Sequence, residues 1–277
     1  VYLRPSNLNE ALAALRQGPC DVLAGGTDYY PSLSNRAPAG RVLDISAIAA
    51  LRGISDAGDH WRIGATTTWT DVIEARLPAL FNGLKLASRE VGGMQIQNSG
   101  TLAGNLCNAS PAADGVPALL ALDAGIELSS AGQVRMVPLE QFIAAPRRTL
   151  RREDELVSAI RVPKPRAGRS ARGHFLKLGA RRYLVISIAM AAVAIETEDG
   201  TVREARVAIG ACSPVAHRLH ALEMVLTGKP ADAELGAFAQ AAHLSQLDPI
   251  DDVRADRAYR LDAALTLVRR ALSEVAS

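Results

Sequence analysis

Leu8, Ala11, Leu12 and Leu15 recur at i, i+3, i+4 and i+7, the spacing of one buried helix face. Asn7 precedes them as a cap, Glu10 follows three residues later in a capping-box arrangement, and Gly18-Pro19 stops the run. The apolar runs then shorten. Val22–Ala24 and Val42–Ile45 have strand length, so the opening reads as strand, helix, strand, loop, strand. Residues 53–64 predict a hairpin ending in WRIGA. Thr70 caps a helix to about Arg76, and a second helix spans about Pro78 to Val91. Val116–Leu122 is apolar and helical. Ile126–Ser129 and Gln133–Met136 flank Ala131-Gly132 as a hairpin, and Glu155–Val162 is a strand.

Residues 163–173, PKPRAGRSARG, carry no apolar period and mark a boundary. Beyond them the pattern lengthens. Residues 186–197 and 201–210 are strands around the hairpin signal Glu198-Asp199-Gly200. Helical stretches follow at about His217–Leu226, Ala231–His243 and Arg257–Val275. In the last, Leu261, Ala264, Leu265, Val268 and Leu272 form one apolar face. The division is an α/β part over 1–165, itself split near residue 50, and an antiparallel sheet with helices over 170–277.

Composition narrows the picture only slightly. The formal net charge of +2 implies no strongly charged partner. Arg147, Arg148, Arg151 and Arg152, and later Arg166, Arg169 and Arg172, read as a solvated connector, without the interleaved aromatics of a nucleic-acid patch. Cys20, Cys107 and Cys212 are too few and too scattered for a disulfide framework, a zinc site or an iron–sulfur cluster within this chain. The expectation is a reducing compartment, the cytoplasm by default, with no membrane insertion. His217 and His220 are spaced three apart, but solvated or capping roles outweigh a metal face there.

Two stretches resist assignment to regular elements. LAGGTDYYP (23–31) follows a buried strand, and NSGTLAGNLCNASPAAD (98–114) follows a helix. Gly25, Gly26, Gly100 and Gly104 permit positive φ and close approach. Successive inward N–H groups in such loops form anion-binding nests, to which Thr27, Thr101, Asn105 and Ser110 add donors. Two facing nests suit a pyrophosphate, and Asp114 suits a ribose. One reading is a dinucleotide held by loops. The other is a tight turn plus a structural loop, with Asp114 a helix N-cap and Cys107 a small buried filler. Neither the Rossmann glycine fingerprint nor a P-loop is present.

AGGTD (24–28), TLAGN (101–105) and ASPAAD (109–114) together resemble the FAD-binding subunits of the molybdenum hydroxylases, the xanthine dehydrogenase and carbon monoxide dehydrogenase flavoprotein family. YLRPSNLNEALAAL at the start and FLKLGARRYLVISIAMAAVAI at 175–195 extend the likeness over nearly the whole chain. The resemblance implies an α+β fold. Two α/β subdomains clamp FAD, followed by a three-stranded antiparallel sheet plus helices. It implies cofactor contacts from Ala24, Gly25, Gly26, Thr27, Asp28 and Tyr29, from Thr101, Gly104 and Asn105, and from Ser110 and Asp114. Val91, Gly92 and Ile160 would line the cofactor, and Lys177 would lie near the flavin. It implies an oxidoreductase subunit without a catalytic acid–base residue of its own. Iron–sulfur and molybdopterin cofactors would sit on small and large partner chains, assembled as a dimer of heterotrimers. The rival expectations are a self-contained flavin oxidoreductase and a non-catalytic assembly subunit. Ala103 departs from the family glycine at that position. Tyr183-Leu184-Val185 follows Arg181-Arg182 where xanthine dehydrogenases carry acidic residues.

Overall fold

The structure is a computed structural model that describes residues 1–34 and 36–277. Its first unit is a small parallel sheet. Strands β1 (Tyr2–Leu3), β2 (Asp21–Leu23) and β3 (Val42–Asp44) lie in the order β1-β3-β2. Parallel neighbours need a crossover, and helix α1 (Leu8–Arg16) supplies the one between β1 and β2. The Asn7 side chain accepts the Glu10 N–H at 3.0 Å, while the Glu10 carboxylate takes the Ser6 N–H. Ala11, Leu12 and Leu15 bury against Leu43, Ile45, Ile48 and Leu51.

The middle unit holds an antiparallel sheet. Its strands are β4 (Ile54–Asp56), β5 (His60–Gly64), β6 (Gly125–Ser130) and β7 (Gln133–Pro138). A small hairpin, β8 (Ile143–Ala145) and β9 (Arg148–Thr149), precedes the central β10 (Leu156–Pro163). The order is β4-β5-β10-β6-β7. A short helix α2 (Tyr29–Ser32) belongs to the first unit. Helices α3 (Trp69–Glu74), α4 (Asn82–Glu90), α5 (Met94–Ser99), α6 (Leu102–Asn108), α7 (Gly115–Ala121) and α8 (Leu139–Phe142) belong to the middle one.

Two sequence expectations are corrected here. Helix α3 starts earlier than Thr70. Thr68 accepts the Asp71 N–H at 3.1 Å and the Asp71 carboxylate accepts the Thr68 N–H at 2.8 Å, a complete capping box, while Thr70 bonds Asn98. The stretch 98–114 is not one loop. Thr101 caps α6 by accepting the Gly104 N–H at 3.0 Å, and Leu102, Ala103 and Leu106 bury its inner side. A good cap and a buried face override the poor helix propensity of glycine and asparagine. Ala103 sits inside this helix, so its methyl meets an ordinary helical backbone.

The third sheet comprises β11 (Ser170–Leu178), β12 (Ala189–Glu198), β13 (Thr201–Gly210) and β14 (His217–Arg218), all antiparallel. It therefore has a fourth, two-residue strand where three strands were expected. His217 lies on that strand and not on a helix. The irregular connector narrows to 164–169, because β11 already begins at Ser170. Helices α9 (His220–Leu226) and α10 (Arg257–Ala276) cover one face, and residues 231–243 form two short 3₁₀ turns, not a helix.

Strand β12 joins the two larger units. Met190, Ala192 and Ala194 face the middle unit's core, with α7 packed beside them. Ala189, Ala191, Val193 and Ile195 face α9 and α10. Alternate residues point to opposite faces, and here both faces are buried, so the strand is apolar almost throughout. Helix α7 is buried along its whole length, with Leu119 fully enclosed. Leu119→Ala should therefore lower stability by about 3–5 kcal/mol, since the closed surroundings cannot collapse into the cavity. Urea unfolding measures this as a lower midpoint.

Candidate functional site

The carboxyl end of β2 opens into Ala24–Asp28, the place where open parallel sheets ordinarily bind ligands. This loop runs against the turn from α5 into α6. A Cβ on Gly25 would overlap the Ser99 carbonyl and come within 2.9 Å of Gly100 Cα, so only glycine allows the two backbones to touch. Gly26 has φ +72°, and a Cβ there would strike the Tyr30 ring. The two glycine-bearing segments therefore form one continuous floor.

Above this floor lies a cleft of about 850 Å³ between the first and middle units. Ala24, Gly25, Gly26, Thr27, Asp28 and Tyr29 line one side, and Thr101, Gly104 and Asn105 line the other. Val91, Ile96, Ile45, Leu156 and Val157 give it apolar walls. The Asn105 side-chain oxygen is buried without a hydrogen-bond partner. An unpaired buried amide is costly, and this one belongs to a cleft-lining residue.

Five expected site residues do not line the cleft. Asp114 and Lys177 form a buried ion pair at 2.8 Å, and Ser187 donates to Asp114 at 2.7 Å. Burial pushes the Asp114 pKa up, and the lysine and serine pull against that shift. Asp114 precedes α7 but makes no side-chain capping bond. Lys177 also reaches the Glu90 carbonyl at 3.4 Å, beside the cleft-lining Val91. Gly92, at φ +53°, sits so close to Ile96 that a Cβ there would come within 2.8 Å of its side chain. Ser110 closes a local turn by accepting the Ala112 N–H. Ile160 is fully buried in the β10 core, and Leu156 and Val157 on the same strand face the cleft.

Sequence reasoning missed several cleft residues. Cys107 lines the cleft with accessible surface, yet the surrounding protein desolvates its thiol and pushes the pKa up to about 11, so it is an unreactive wall residue. Arg147 and Arg151, assigned to a solvated connector, line it as well, with Asn108 and Thr149. Asn108 donates to Asp28 at 2.8 Å, and Arg147 donates to both the carbonyl and the side-chain oxygen of Asn108. The clue available in sequence was Pro146-Arg147 between two short strands, a corner dipeptide.

Arg151 is held from behind. It donates to the Arg152 and Glu155 carbonyls at 2.9 and 2.7 Å. Glu155 opens the strand that carries Leu156 and Val157. Burial opposes its charge, but bonds from Arg135 at 2.6 and 2.8 Å and from the Arg152 N–H hold its pKa down to about 2. A carboxyl depressed in the folded state stabilises above its unfolded pKa and loses that contribution as pH falls toward the folded value. Stability should thus drop by on the order of 1–3 kcal/mol between about pH 5 and pH 2 through this group. Glu155→Gln should lower stability at neutral pH and flatten that acid dependence, read from urea midpoints across the range.

Residues 1–165 match the model of the FAD binding domain in molybdopterin dehydrogenase, and residues 174–275 match the CO dehydrogenase flavoprotein C-terminal domain. The chain is 31% identical to the putative xanthine dehydrogenase FAD-binding subunit of Escherichia coli (strain K12), over 99% of this chain and 94% of that one. It is 31% identical to the carbon monoxide dehydrogenase medium chain of Hydrogenophaga pseudoflava, over 98% and 95%. Among solved structures, carbon monoxide dehydrogenase from Hydrogenophaga pseudoflava superposes with a TM-score of 0.86 at 30% identity, covering 99% of this chain and 96% of that chain. Reconstituted CO dehydrogenase from Oligotropha carboxidovorans gives 0.89 at 26% identity, with the same coverage. With its glycine-floored cleft and a match along both parts of its length, the chain belongs to the family of FAD-binding flavoprotein subunits of molybdopterin dehydrogenases.

Proposed function

We propose that this chain is the flavin subunit of a molybdenum-containing dehydrogenase, taking electrons from iron–sulfur clusters on a small partner chain and delivering them to an external acceptor. Substrate oxidation would occur at a molybdopterin centre on a large partner chain. The observation that carries this reading is the backbone contact of Gly25 with Ser99–Gly100, which joins two donor-rich segments into the floor of a single cleft. Bound FAD would supply the chemistry of accepting electrons singly and releasing them in pairs.

The chain's own work is to bind and orient. The Ala24–Thr27 backbone and the Thr101–Asn105 segment would hold the diphosphate through their N–H and hydroxyl donors. Ile45, Val91, Ile96, Leu156 and Val157 would flank the ring systems and keep water from them. Asp114 and Lys177 serve as a brace in this reading. Their ion pair ties β11 to the start of α7, and the bond from Lys177 to the Glu90 carbonyl ties the end of α4 to β11 beside Val91.

Membership of the family supports small and large partner chains, and we extend it to a dimer of heterotrimers. Among the described residues no helix is long and apolar enough to cross a membrane. Three free cysteines support residence in the reducing cytoplasm.

The test is a visible spectrum and denaturing gel of the protein with whatever co-purifies from its source. Flavin and iron–sulfur absorbance with two further chains is the expected result. Flavin with a single band would favour a self-contained oxidoreductase, and failure to bind added FAD would overturn the proposal. Gly25→Ala should weaken FAD binding about 10–100-fold, because the loops must separate to admit a methyl. Equilibrium dialysis of the variant against FAD measures it.

A further inference from the structure

The cleft carries an arginine at a backbone position where arginine is out of place. Pro146 and Arg147 are the corner residues of the β8–β9 hairpin, with Ala145 and Arg148 paired across it. Arg147 has φ +61°, a conformation that glycine or asparagine ordinarily fills in a tight turn. Its N–H donates to the Ala109 carbonyl at 2.9 Å, and Ala109 itself ends α6 at φ +46°. Two left-handed non-glycine residues are thus hydrogen-bonded to each other at the wall of the cleft. Strain of this kind persists only where the surroundings impose it, and it gathers at ligand sites.

The side chain is equally constrained. Asn108 accepts from one guanidinium nitrogen, Nη1, through both its backbone carbonyl and its side-chain oxygen, which holds that arm against the end of α6 and leaves Nε and Nη2 to face a ligand. The Asn108 amide is in turn held by Asp28 across the cleft, at 2.8 Å. Arg147 makes no ion pair among the described residues. Nor does Arg151, which faces the same cleft and spends its bonds on carbonyls. The charged side chains lining the cleft are therefore two arginines against one aspartate. Arg147 is exposed to the cleft and unneutralised, whereas the more buried Arg206 and Arg218 are spent on Glu196 and Glu223. A positioned fork without a carboxylate is suited to anionic oxygens from outside the chain.

We propose that Arg147, with Arg151 beside it, is a preformed anion ligand of the cleft that donates to negatively charged oxygens of the flavin nucleotide. The inference rests on the FAD reading above and adds to the glycine segments a charge that they lack. Two parts of the cofactor offer such oxygens. The diphosphate is anionic throughout, whereas the ring's pyrimidine edge becomes anionic only on reduction.

Binding and redox measurements separate the two sources. The full chain, with its co-purifying partners and stripped of flavin, is titrated with FAD and with riboflavin at low and high salt. The midpoint potential is then measured by dye equilibration. The proteins are wild type, Arg147→Gln, Arg147→Lys and, as a control on an exposed neighbour, Arg148→Gln. For a diphosphate contact, Arg147→Gln weakens FAD about 10–100-fold, spares riboflavin and reduces the salt dependence, while Arg147→Lys restores part of the loss. For a ring contact, affinity for oxidised FAD is unchanged and the potential falls, reflecting about 10-fold weaker binding of the reduced cofactor. The proposal is overturned if Arg147→Gln changes neither quantity, or if Arg148→Gln reproduces its effect. It is also overturned if FAD and riboflavin weaken equally together with a lower melting temperature. Wild type that binds no FAD would overturn the function itself, a separate outcome.

Discussion

The closest backbone approach in the site is also the one on which it depends. Gly25 lies so near the Ser99 carbonyl that no side chain fits between them. The contact joins the small parallel sheet to the α5–α6 turn of the middle unit, and the cleft is the space left above it. A bulkier residue would part the two segments and separate the donors that face each other across the floor. Gly26 supports the same arrangement from the other side, because its positive φ turns the chain down toward the Tyr30 ring.

Charge is distributed unevenly around that contact. Away from the cleft, buried carboxylates are saturated. Glu127 receives Arg62, Arg161 and Ser158, and Glu155 receives Arg135 and Arg152. Such nodes fix register between β6, β7 and β10, and a carboxylate left without them would be costly to bury. At the cleft the balance reverses, with arginines bound to carbonyls and an amide. The Glu155 node spans both regimes, since it orders the strand start that carries Leu156 and Val157 and holds Arg151 through its own carbonyl. The interior electrostatics therefore position the apolar walls as well as the cations.

Long-range packing keeps the middle unit rigid. Strand β12 contributes one face to the middle core and the other to the α9–α10 layer. The Asp114–Lys177 pair crosses the same seam, tying the start of α7 and the end of α4 to β11. A cofactor that exchanges electrons with a partner chain needs walls that do not shift between turnovers, and a shared strand with a buried ion pair supplies them.

Much of this was legible in the sequence because it is local. The α1 cap and apolar face, the β6–β7 hairpin, the long β12–β13 pair and the α10 stripe all follow from spacing within one element. The glycine-bearing stretches at 24–28 and 101–105 stood out because their residue types suit close approach, and both line the cleft. What the sequence misjudged depended on neighbours. Helix α6 exists because Thr101 caps it and a core receives Leu102 and Leu106, which outweighs its glycine and asparagines. Asp114 and Lys177, 63 residues apart, are partners and not cleft walls because the fold buries them face to face. Val157 and Ile160 both turn toward the same core, because the irregularity between Val157 and Ala159 resets the alternation, and only Val157, near the start of β10, also meets the cleft. Arg147 is exposed, as a solvated connector should be, but charge alone does not tell that its hairpin corner rests on the cleft. The sequence by itself determined which segments could touch backbone to backbone. The tertiary structure decided which side chains face the space between them, since burial and ion pairing are settled by residues distant in the chain.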